Sequence, residues 1–217
     1  EMFPRGGVVL RDLDTAQRVG ARRLLQTGLS SRGLLAADAI MELENVIRAL
    51  EQGRRFARDP LEYYVSVFGT PDAHGSWSWR FEGHHLSLHF TVVAGEITVS
   101  TPTFMGTNPA ELREGPNKGQ RPLGAQEDRA RALARSLTET QRGAGLIADV
   151  APAEITTTNS YPIEPLKPAG ILATALSAEQ QEMLKALIES HASLMATEIL
   201  CSGASSVTSR NSPWILR

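Results

Sequence analysis

The stretch that decides the fold is SWSWRFEGHHLSLHFTVVAGEITVS, residues 76–100. Apolar and polar residues alternate through it, which is the period of a β-strand with one buried face. Two dipeptides that end in glycine, Glu82-Gly83 and Ala94-Gly95, interrupt the alternation at positions typical of tight turns. The stretch therefore predicts a three-stranded antiparallel meander.

Pairing the residues across each turn separates the side chains into two faces. A two-residue loop at Glu82-Gly83 places Phe81 opposite His84, and the loop at Ala94-Gly95 places Val92 opposite Ile97. A shift of either pairing by one residue would mix the faces, so the pattern favours this register. The predicted apolar face carries Trp77, Trp79, Leu86, Leu88, Phe90, Ile97 and Val99. The predicted polar face carries Arg80, His85, Ser87, His89, Thr91, Thr98 and Ser100.

A further strand and several helices flank the meander. Residues 63–68, YYVSVF, alternate and are rich in β-branched and aromatic residues, which indicates another strand. Asp14 and Ser177 each precede a glutamine by three residues, the spacing of a capping box, and Ser30 or Ser31 begins another helical pattern. Residues 126–141 also have the helical period. We therefore predict an α+β fold, an antiparallel β-meander with helices packed on one face.

The composition excludes several classes of partner. The 217 residues include 22 Lys and Arg against 24 Asp and Glu, so the charge gives no basic excess for nucleic acid or an acidic membrane surface. Apolar runs are far shorter than the roughly 18 residues of a membrane span. We expect a soluble protein that binds neither nucleic acid nor a membrane. Residue 1 is not an initiator methionine, so the sequence does not decide the compartment. It does not decide the oligomeric state either.

Length and local composition predict the domain organisation. At roughly 150 residues per domain, we expect one domain over residues 1–200. Residues 201–217 are rich in serine and have neither helical nor strand period, so we expect a disordered tail. The single cysteine, Cys201, excludes an internal disulfide.

Three histidines, His84, His85 and His89, lie within six positions and suggest a metal site. On a regular strand His84 and His85 point to opposite faces, and His85 and His89 are roughly 13 Å apart. Since two nitrogens on one zinc ion each lie about 2 Å from it, three such histidines cannot share an ion. A metal would need one of them and ligands from another segment.

The polar face has two interpretations. It is either a solvated sheet face, or the floor of a ligand or metal site, because it carries histidines, an arginine and hydroxyls rather than Lys and Glu. Ser87 lacks the G-x-S-x-G setting of a hydrolase nucleophile and is interpreted as an ordinary polar-face residue. Arg54, Arg55 and Arg58 are interpreted as part of a solvated connection.

Five segments together resemble family 3500 of the domains of unknown function, DUF3500. They are YYVSVFG at 63–69, WSWRFEGHHLSL at 77–88, PTFMG at 102–106, Asn108-Pro109 and GQRPL at 119–123. The resemblance runs from about Gly7 to Ile199. It implies no established reaction, but it directs attention to Arg80, Glu82, His84 and His85. It also implies that the chain is a fragment of a longer family domain with a divergent C-terminal tail.

Two hypotheses for the function follow. In the first, the protein is a metal-dependent enzyme of unknown reaction, with Glu82, His84, His85 and Arg80 as catalytic residues. His84 and His85 would then bind the metal, and the cofactor would be a transition metal. In the second, the protein is a non-catalytic ligand-binding or structural domain, whose polar sheet face binds a small molecule or another chain.

Overall fold

The predicted meander is the centre of a six-stranded antiparallel sheet in the computed structural model. The structure describes residues 4–52, 56, 58–153, 169–196 and 199. The strands in that part of the chain are β1 (Val8–Val9), β2 (Tyr64–Phe68), β3 (Ser76–Gly83), β4 (Leu86–Val93), β5 (Glu96–Val99) and β6 (Thr103–Met105). Strands β1 to β5 are adjacent in chain order, and β6 also pairs with β4. The α+β prediction with an antiparallel sheet is confirmed.

The helices are α1 (Thr15–Gly28), α2 (Ser31–Leu50), α3 (Gly124–Ser136), α4 (Glu139–Gly145) and α5 (Ala178–Ala192). The predicted caps of α1, α2 and α5 are confirmed, since the side chains of Asp14, Ser30 and Ser177 each accept a bond from the backbone N–H three residues on. The single helix predicted over 126–141 is wrong. Thr138 begins a new helix there, because its hydroxyl accepts a bond from the backbone N–H of Gln141.

The described residues form two compact units. The first contains residues up to Ala125 and those from Ser190 onward, and the second contains Gln126–Glu189. The second unit has its own apolar cluster, formed by Leu133, Leu137, Ile171, Leu176 and Leu184. None of the helices in the described part of the chain combines the length and hydrophobicity needed to span a bilayer. The predicted tail at 201–217 lies outside the described residues.

The core of the first unit lies between the sheet and the helices α1 and α2. Trp79 and Phe90, on neighbouring strands, stack with ring centroids 4.2 Å apart and are almost fully buried. Leu25 of α1 and Ile40 of α2 belong to the same cluster. Gly28 is required here, because a Cβ would lie 2.5 Å from the Phe90 ring. The helices of this unit therefore cover the apolar face, and the reverse face of the sheet carries the polar residues.

The predicted loop between β3 and β4 lies two residues too early, so the predicted pairing of the two strands is wrong by four residues. The loop is His84-His85 rather than Glu82-Gly83, so Phe81 lies opposite Leu88 instead of His84. Gly83 stays in the strand because it packs directly against the ring of Tyr63. His85 takes the left-handed turn conformation, with a φ of 61°. A shift by an even number of residues keeps the side chains within β3 and β4 on their predicted faces. His85, which was predicted on the polar face, lies in the turn instead.

The second turn, at Ala94-Gly95, is where the sequence places it. Both residues have positive φ, 51° and 82°, and Val92 lies opposite Ile97 as predicted. A bulge between Thr91 and Val92 shifts the pairing beyond that point. Thr91 therefore lies opposite Val99 rather than Thr98, so the predicted place of Val99 on the apolar face is wrong.

Candidate functional site

The two histidines of the β3–β4 turn are stacked on each other. The ring centroids of His84 and His85 are 3.9 Å apart and the ring planes differ by 24°. The expectation that they point to opposite faces is wrong, because they form the turn and not a strand. The backbone N–H of Gly106, just after β6, donates to the carbonyl of His85 at 2.8 Å and holds the turn against the neighbouring strand.

A buried carboxylate of α2 contacts the first of these histidines. Oε1 of Glu44 makes a short contact with Nδ1 of His84, and Glu44 is only 3% exposed. Glu44 is buried because it lies on the same face of α2 as Ile40 and Ile47, which pack in the interior. An ionised carboxylate can only accept a hydrogen bond, so the proton of this contact belongs to Nδ1. In neutral His84, Nε2 is then the nitrogen that carries the lone pair.

Arg58 joins the same group of side chains. Its guanidinium bonds Glu51 through two contacts, Nε to Oε2 at 3.0 Å and NH2 to Oε1 at 2.9 Å. NH1 lies 3.9 Å from Oε2 of Glu44 and 3.4 Å from each ring nitrogen of His84. Hydrogen bonding to Glu51 raises the pKa of Arg58, so the side chain remains a cation. The prediction that Arg58 lies in a solvated connection is wrong, since its side chain is 10% exposed.

Tyr63 holds the backbone of the turn in place through a hydrogen bond. Its hydroxyl donates to the carbonyl of His84 at 2.8 Å, and its ring stacks on Phe81 with centroids 5.8 Å apart. The residue is fully buried. Burial, with the charge of Glu44 as a smaller cause, raises the pKa of the Tyr63 hydroxyl, so it stays protonated and keeps donating.

His85 is held in its neutral form. Burial is the main reason why the pKa of His85 is lowered to about 4, and the charges of His84 and Arg58 act in the same direction. Glu44 acts in the opposite direction. Near neutral pH the His85 ring is therefore an uncharged neighbour of His84.

The other two predicted site residues, Arg80 and Glu82, lie on the reverse face of the sheet. NH2 of Arg80 and Oε1 of Glu82 are 2.7 Å apart, and NH2 is also 3.5 Å from the hydroxyl of Ser66. Arg80 is paired across the strands with His89, whose pKa is lowered first by burial and then by the charge of Arg80. The four predicted residues thus form two separate pairs, one in the β3–β4 turn and one on the reverse face of β3.

The geometry of the turn bears on the metal prediction. Imidazole lone pairs lie in the ring plane, so two rings stacked nearly parallel do not direct their nitrogens at one ion. Among the described residues, no group of three or more His, Cys, Asp or Glu side chains is placed to hold a metal. Metal binding by His84 and His85 stays a prediction, and it requires at least one ring to turn out of the stack.

Sequence reasoning missed four residues of this site, Glu44, Glu51, Arg58 and Tyr63. A signal for Glu44 was present, because it stands four residues after Ile40 and three before Ile47 on an otherwise apolar stripe. A carboxylate at such a position is buried, and buried carboxylates need a partner. No comparable local signal distinguishes Arg58 from the other arginines nearby. We call Glu44, Glu51, Arg58, Tyr63, His84 and His85 the turn network.

Comparison with known protein families gives one result. The model of the family described as "Protein of unknown function (DUF3500)" matches residues 1–212. The chain belongs to the DUF3500 family. The DUF3500 match is wider than the resemblance seen in the sequence, since it begins at residue 1 and continues to 212. No curated protein and no solved structure matches the chain.

Proposed function

We propose that this DUF3500 protein is an enzyme in which His84 transfers protons and Glu44 holds it in place. One observation carries the proposal: a carboxylate that is 3% exposed contacts Nδ1 of a histidine whose side chain is 32% exposed. A buried acid that orients a partly accessible histidine is the arrangement of a general acid–base pair. Ionisable groups that are buried beside a specific partner are also candidates for functional sites.

The contact decides which atom of His84 reacts. With Nδ1 donating to Glu44, neutral His84 presents the lone pair of Nε2, which can accept a proton from a substrate hydroxyl, amine or carbon acid. Glu44 stabilises the imidazolium that forms. Removing such an orienting group reduces the rate because the ring loses its tautomer and its position.

The other members of the turn network act on this pair rather than on a substrate. Arg58 already makes two bonds to Glu51, so we assign it a positioning role in which its charge balances Glu44 and Glu51. Tyr63 fixes the backbone of His84 through its carbonyl. Neutral His85 packs on the ring of His84 and limits its rotation.

The same contact also favours a metal-dependent version of the enzyme. A histidine that binds a metal commonly donates its other ring N–H to a carboxylate. His84 has that arrangement, so Nε2, which lies 3.4 Å from NH1 of Arg58, is the nitrogen that would bind a transition metal. The remaining ligands would come from His85 after rotation of its ring, or from other parts of the chain.

The structural alternative rests on a different feature of the network. Glu44 belongs to α2, Tyr63 precedes β2, and His84 belongs to the β3–β4 turn, so the network ties the helix to the sheet. A purely structural network would stabilise the fold without accelerating any reaction. Buried ion pairs of this kind are compatible with either role.

An activity assay with matched variants tests the acid–base proposal. Wild-type protein is incubated with chromogenic esters, phosphoesters and glycosides, and any turnover is compared with that of His84→Gln, Glu44→Gln and His89→Gln. We expect His84→Gln to reduce kcat by roughly 10²- to 10⁴-fold, the usual contribution of a general acid or base. The control His89→Gln lies on the reverse face and should retain the rate. Turnover that survives His84→Gln unchanged would contradict the proposal.

Elemental analysis separates the metal-dependent version. Purified wild type, His84→Ala and the control His89→Ala are analysed for Mn, Fe, Cu and Zn. Stoichiometric metal that is lost only in His84→Ala supports a metal site at the turn. A wild type without stoichiometric metal after growth and purification with these metals present argues against it and leaves the acid–base version.

A further inference from the structure

Helix α2 carries a second stripe of side chains, distinct from the stripe that packs in the interior. Its members follow one another at spacings of four or three residues and so share one side of the helix. They are Leu35, Ala39, Glu42, Val46 and Leu50, which we call the outer stripe. The leucines at its two ends are 69% and 65% exposed. At about 1.5 Å of rise per residue, the outer stripe is roughly 22 Å long.

The loop 112–120 stands beside the outer stripe and forms the second wall of a groove. Two backbone bonds close this loop: the N–H of Gly119 donates to the carbonyl of Leu112 at 2.7 Å, and the N–H of Leu112 donates to the carbonyl of Gln120 at 3.0 Å. Leu112 and Leu43 of α2 line the space between the walls and are buried. That space has a volume of about 750 Å³, and we call it the helix–loop groove.

The charges that line the helix–loop groove are all negative. Three carboxylates line it, and no Lys, Arg or His side chain does in the part of the chain that the structure describes. Asp38 is paired with Arg22, whose NH2 lies 2.6 Å from its Oδ2. Glu42 on the helix wall and Glu114 on the loop wall form no ion pair with any described residue. A cation between the walls would therefore meet a carboxylate on each side.

Glu42 is held at the middle of the outer stripe. It stands seven residues after Leu35 and eight before Leu50. Nδ2 of Asn45 donates to its Oε1 at 2.7 Å, and Arg48 donates to Oδ1 of the same amide at 2.6 Å without lining the groove. The groove thus presents a fixed carboxylate with an exposed apolar side chain at either end. This pattern complements a ligand with a central cation and apolar groups on both sides.

Length and charge discriminate among the possible occupants. A compact small molecule would not contact both Leu35 and Leu50, since they are roughly 22 Å apart, whereas a helix of about four turns would. A symmetric dimer would bring the same carboxylates, Glu42 and Glu114, against each other. An anionic membrane surface would be repelled in the same way.

We propose that the helix–loop groove binds a basic amphipathic helix of a partner protein. The apolar side chains of that helix pack on Leu35, Val46 and Leu50, the mode in which an amphipathic helix enters a groove. A lysine or arginine at its middle pairs with Glu42 and Glu114. Ala39 is small and lets the two helices approach closely.

The size of the contact predicts a weak, reversible complex. A stripe of roughly 22 Å on a helix about 10 Å wide gives roughly 220 Å². That area is well below the roughly 800 Å² that each partner contributes to a stable interface. The proposal does not depend on the acid–base chemistry at the turn network, because Glu44 lies on the interior face of α2.

The test is a titration of the ¹⁵N-labelled whole chain with two synthetic peptides of about 16 residues, roughly four helical turns. One peptide has leucine on one face and lysine on the other, and its matched control has glutamate in place of every lysine. We expect the lysine peptide to shift amides in both 35–50 and 112–120, with a Kd of about 10–500 µM, as for a small transient interface. The glutamate peptide should bind at least about tenfold more weakly, because like charges repel.

Matched variants separate the carboxylates of the groove from the net charge of the chain. Glu42→Gln combined with Glu114→Gln should weaken binding of the lysine peptide roughly three- to tenfold, the effect of losing two exposed ion pairs. The control combines Glu179→Gln with Glu182→Gln, which removes the same charge from exposed positions of α5, and it should bind as the wild type does.

Two further variants test the apolar contacts. Leu35→Ala and Leu50→Ala should each weaken binding roughly threefold or more, because each removes apolar area that the peptide covers. Both side chains are about two-thirds exposed, so the variants should keep the wild-type amide dispersion. Leu172→Ala is the control, since Leu172 is exposed outside the groove.

Several results would overturn the proposal. They are the absence of shifts on either wall with the lysine peptide, equal binding of the glutamate peptide, and losses in the control variants equal to those in the groove variants. Hexylamine that binds as tightly as the lysine peptide would assign the groove to small amines instead. Shifts of the same amides on dilution of the protein alone would assign it to a second copy of the chain.

Discussion

Glu44 in helix α2 and His84 in the β3–β4 turn are separated by 40 residues in the sequence and meet through Oε1 and Nδ1. The contact places a carboxylate that is shielded from water against a ring that still reaches the surface. Arg58 and Glu51 extend it into a network with charges of both signs. The network therefore has two measurable effects, one on the free energy of unfolding and one on the nitrogen of His84 that carries the proton.

Removing the charge of Glu44 should cost stability. We expect Glu44→Gln to lower the free energy of unfolding by ~1–3 kcal/mol, because the buried cation Arg58 loses part of the negative charge that balances it. Urea denaturation at pH 7 measures the change. Glu42→Gln is the matched control, since Glu42 is exposed on the same helix and its change should stay within ~0.5 kcal/mol. Equal losses in both variants would contradict a special role for Glu44.

Gly83 should tolerate no side chain. A Cβ at this position would lie 2.3 Å from the ring of Tyr63, so Gly83→Ala must displace that ring and its bond to the turn. We expect a loss of at least ~2 kcal/mol by thermal or chemical denaturation. Gly20→Ala, in an exposed turn of α1 with no atom within 4 Å of the added Cβ, should instead be neutral or stabilising by up to ~1 kcal/mol. The reverse ranking would show that the packing around Tyr63 is misassigned.

Tyr63→Phe should loosen the turn without removing the ring. The carbonyl of His84 then loses the donor at 2.8 Å, and an unsatisfied buried acceptor costs ~1–2 kcal/mol. Tyr64→Phe is the control, because its hydroxyl makes a longer bond of 3.3 Å to Glu62 in a more accessible place. Hydrogen exchange of the Gly106 amide, which bonds the carbonyl of His85, should become faster in Tyr63→Phe. Unchanged exchange and stability would contradict the supporting role of Tyr63.

His85 should make the fold sensitive to mild acid. The folded pKa is about 4 and the ordinary value is 6.5, so between these values the unfolded chain binds more protons. Stability linked to neutral His85 is present above about pH 6.5 and decreases as the pH falls toward 4. Because the ring is partly exposed, we expect a decrease of only ~1 kcal/mol.

The comparison with His85→Asn isolates this contribution from those of the carboxylates. Asparagine tolerates the left-handed conformation at this position and does not titrate. The free energy of unfolding of the wild type minus that of His85→Asn should therefore fall between pH 7 and about pH 4.5. A difference that is constant over this range would show that the His85 ring titrates normally.

The parts of the fold that depend on local patterns were predictable from the sequence. Alternation through residues 76–100 predicted the strands and the two faces of β3 and β4, and the capping boxes at Asp14 and Ser177 predicted two helix starts. The break at Thr138 was missed because apolar spacing continued across it while a new cap formed. The β3–β4 turn was misplaced because a shift of two residues leaves the two faces unchanged.

The site was harder to predict because its contacts are long-range. His84 and His85 were identified from their place in the meander, but the positions of Glu44 and Arg58 beside them depend on how α2 and the segment after it pack on the sheet. Arg80 and Glu82 were assigned to the same site because they are close in sequence. Alternation along β3 instead places them on the reverse face, where they pair with each other.

The most direct test of the Glu44–His84 pair is a long-range ¹H–¹⁵N spectrum of the histidine side chains, recorded for wild type, Glu44→Gln and the control Glu42→Gln. Our account predicts that neutral His84 carries its proton on Nδ1, with Nε2 unprotonated, and that Glu44→Gln alone shifts the Nδ1 signal. A His84 that carries its proton on Nε2, or that gives the same spectrum in wild type and Glu44→Gln, would contradict the claim that Glu44 sets the reactive nitrogen of His84.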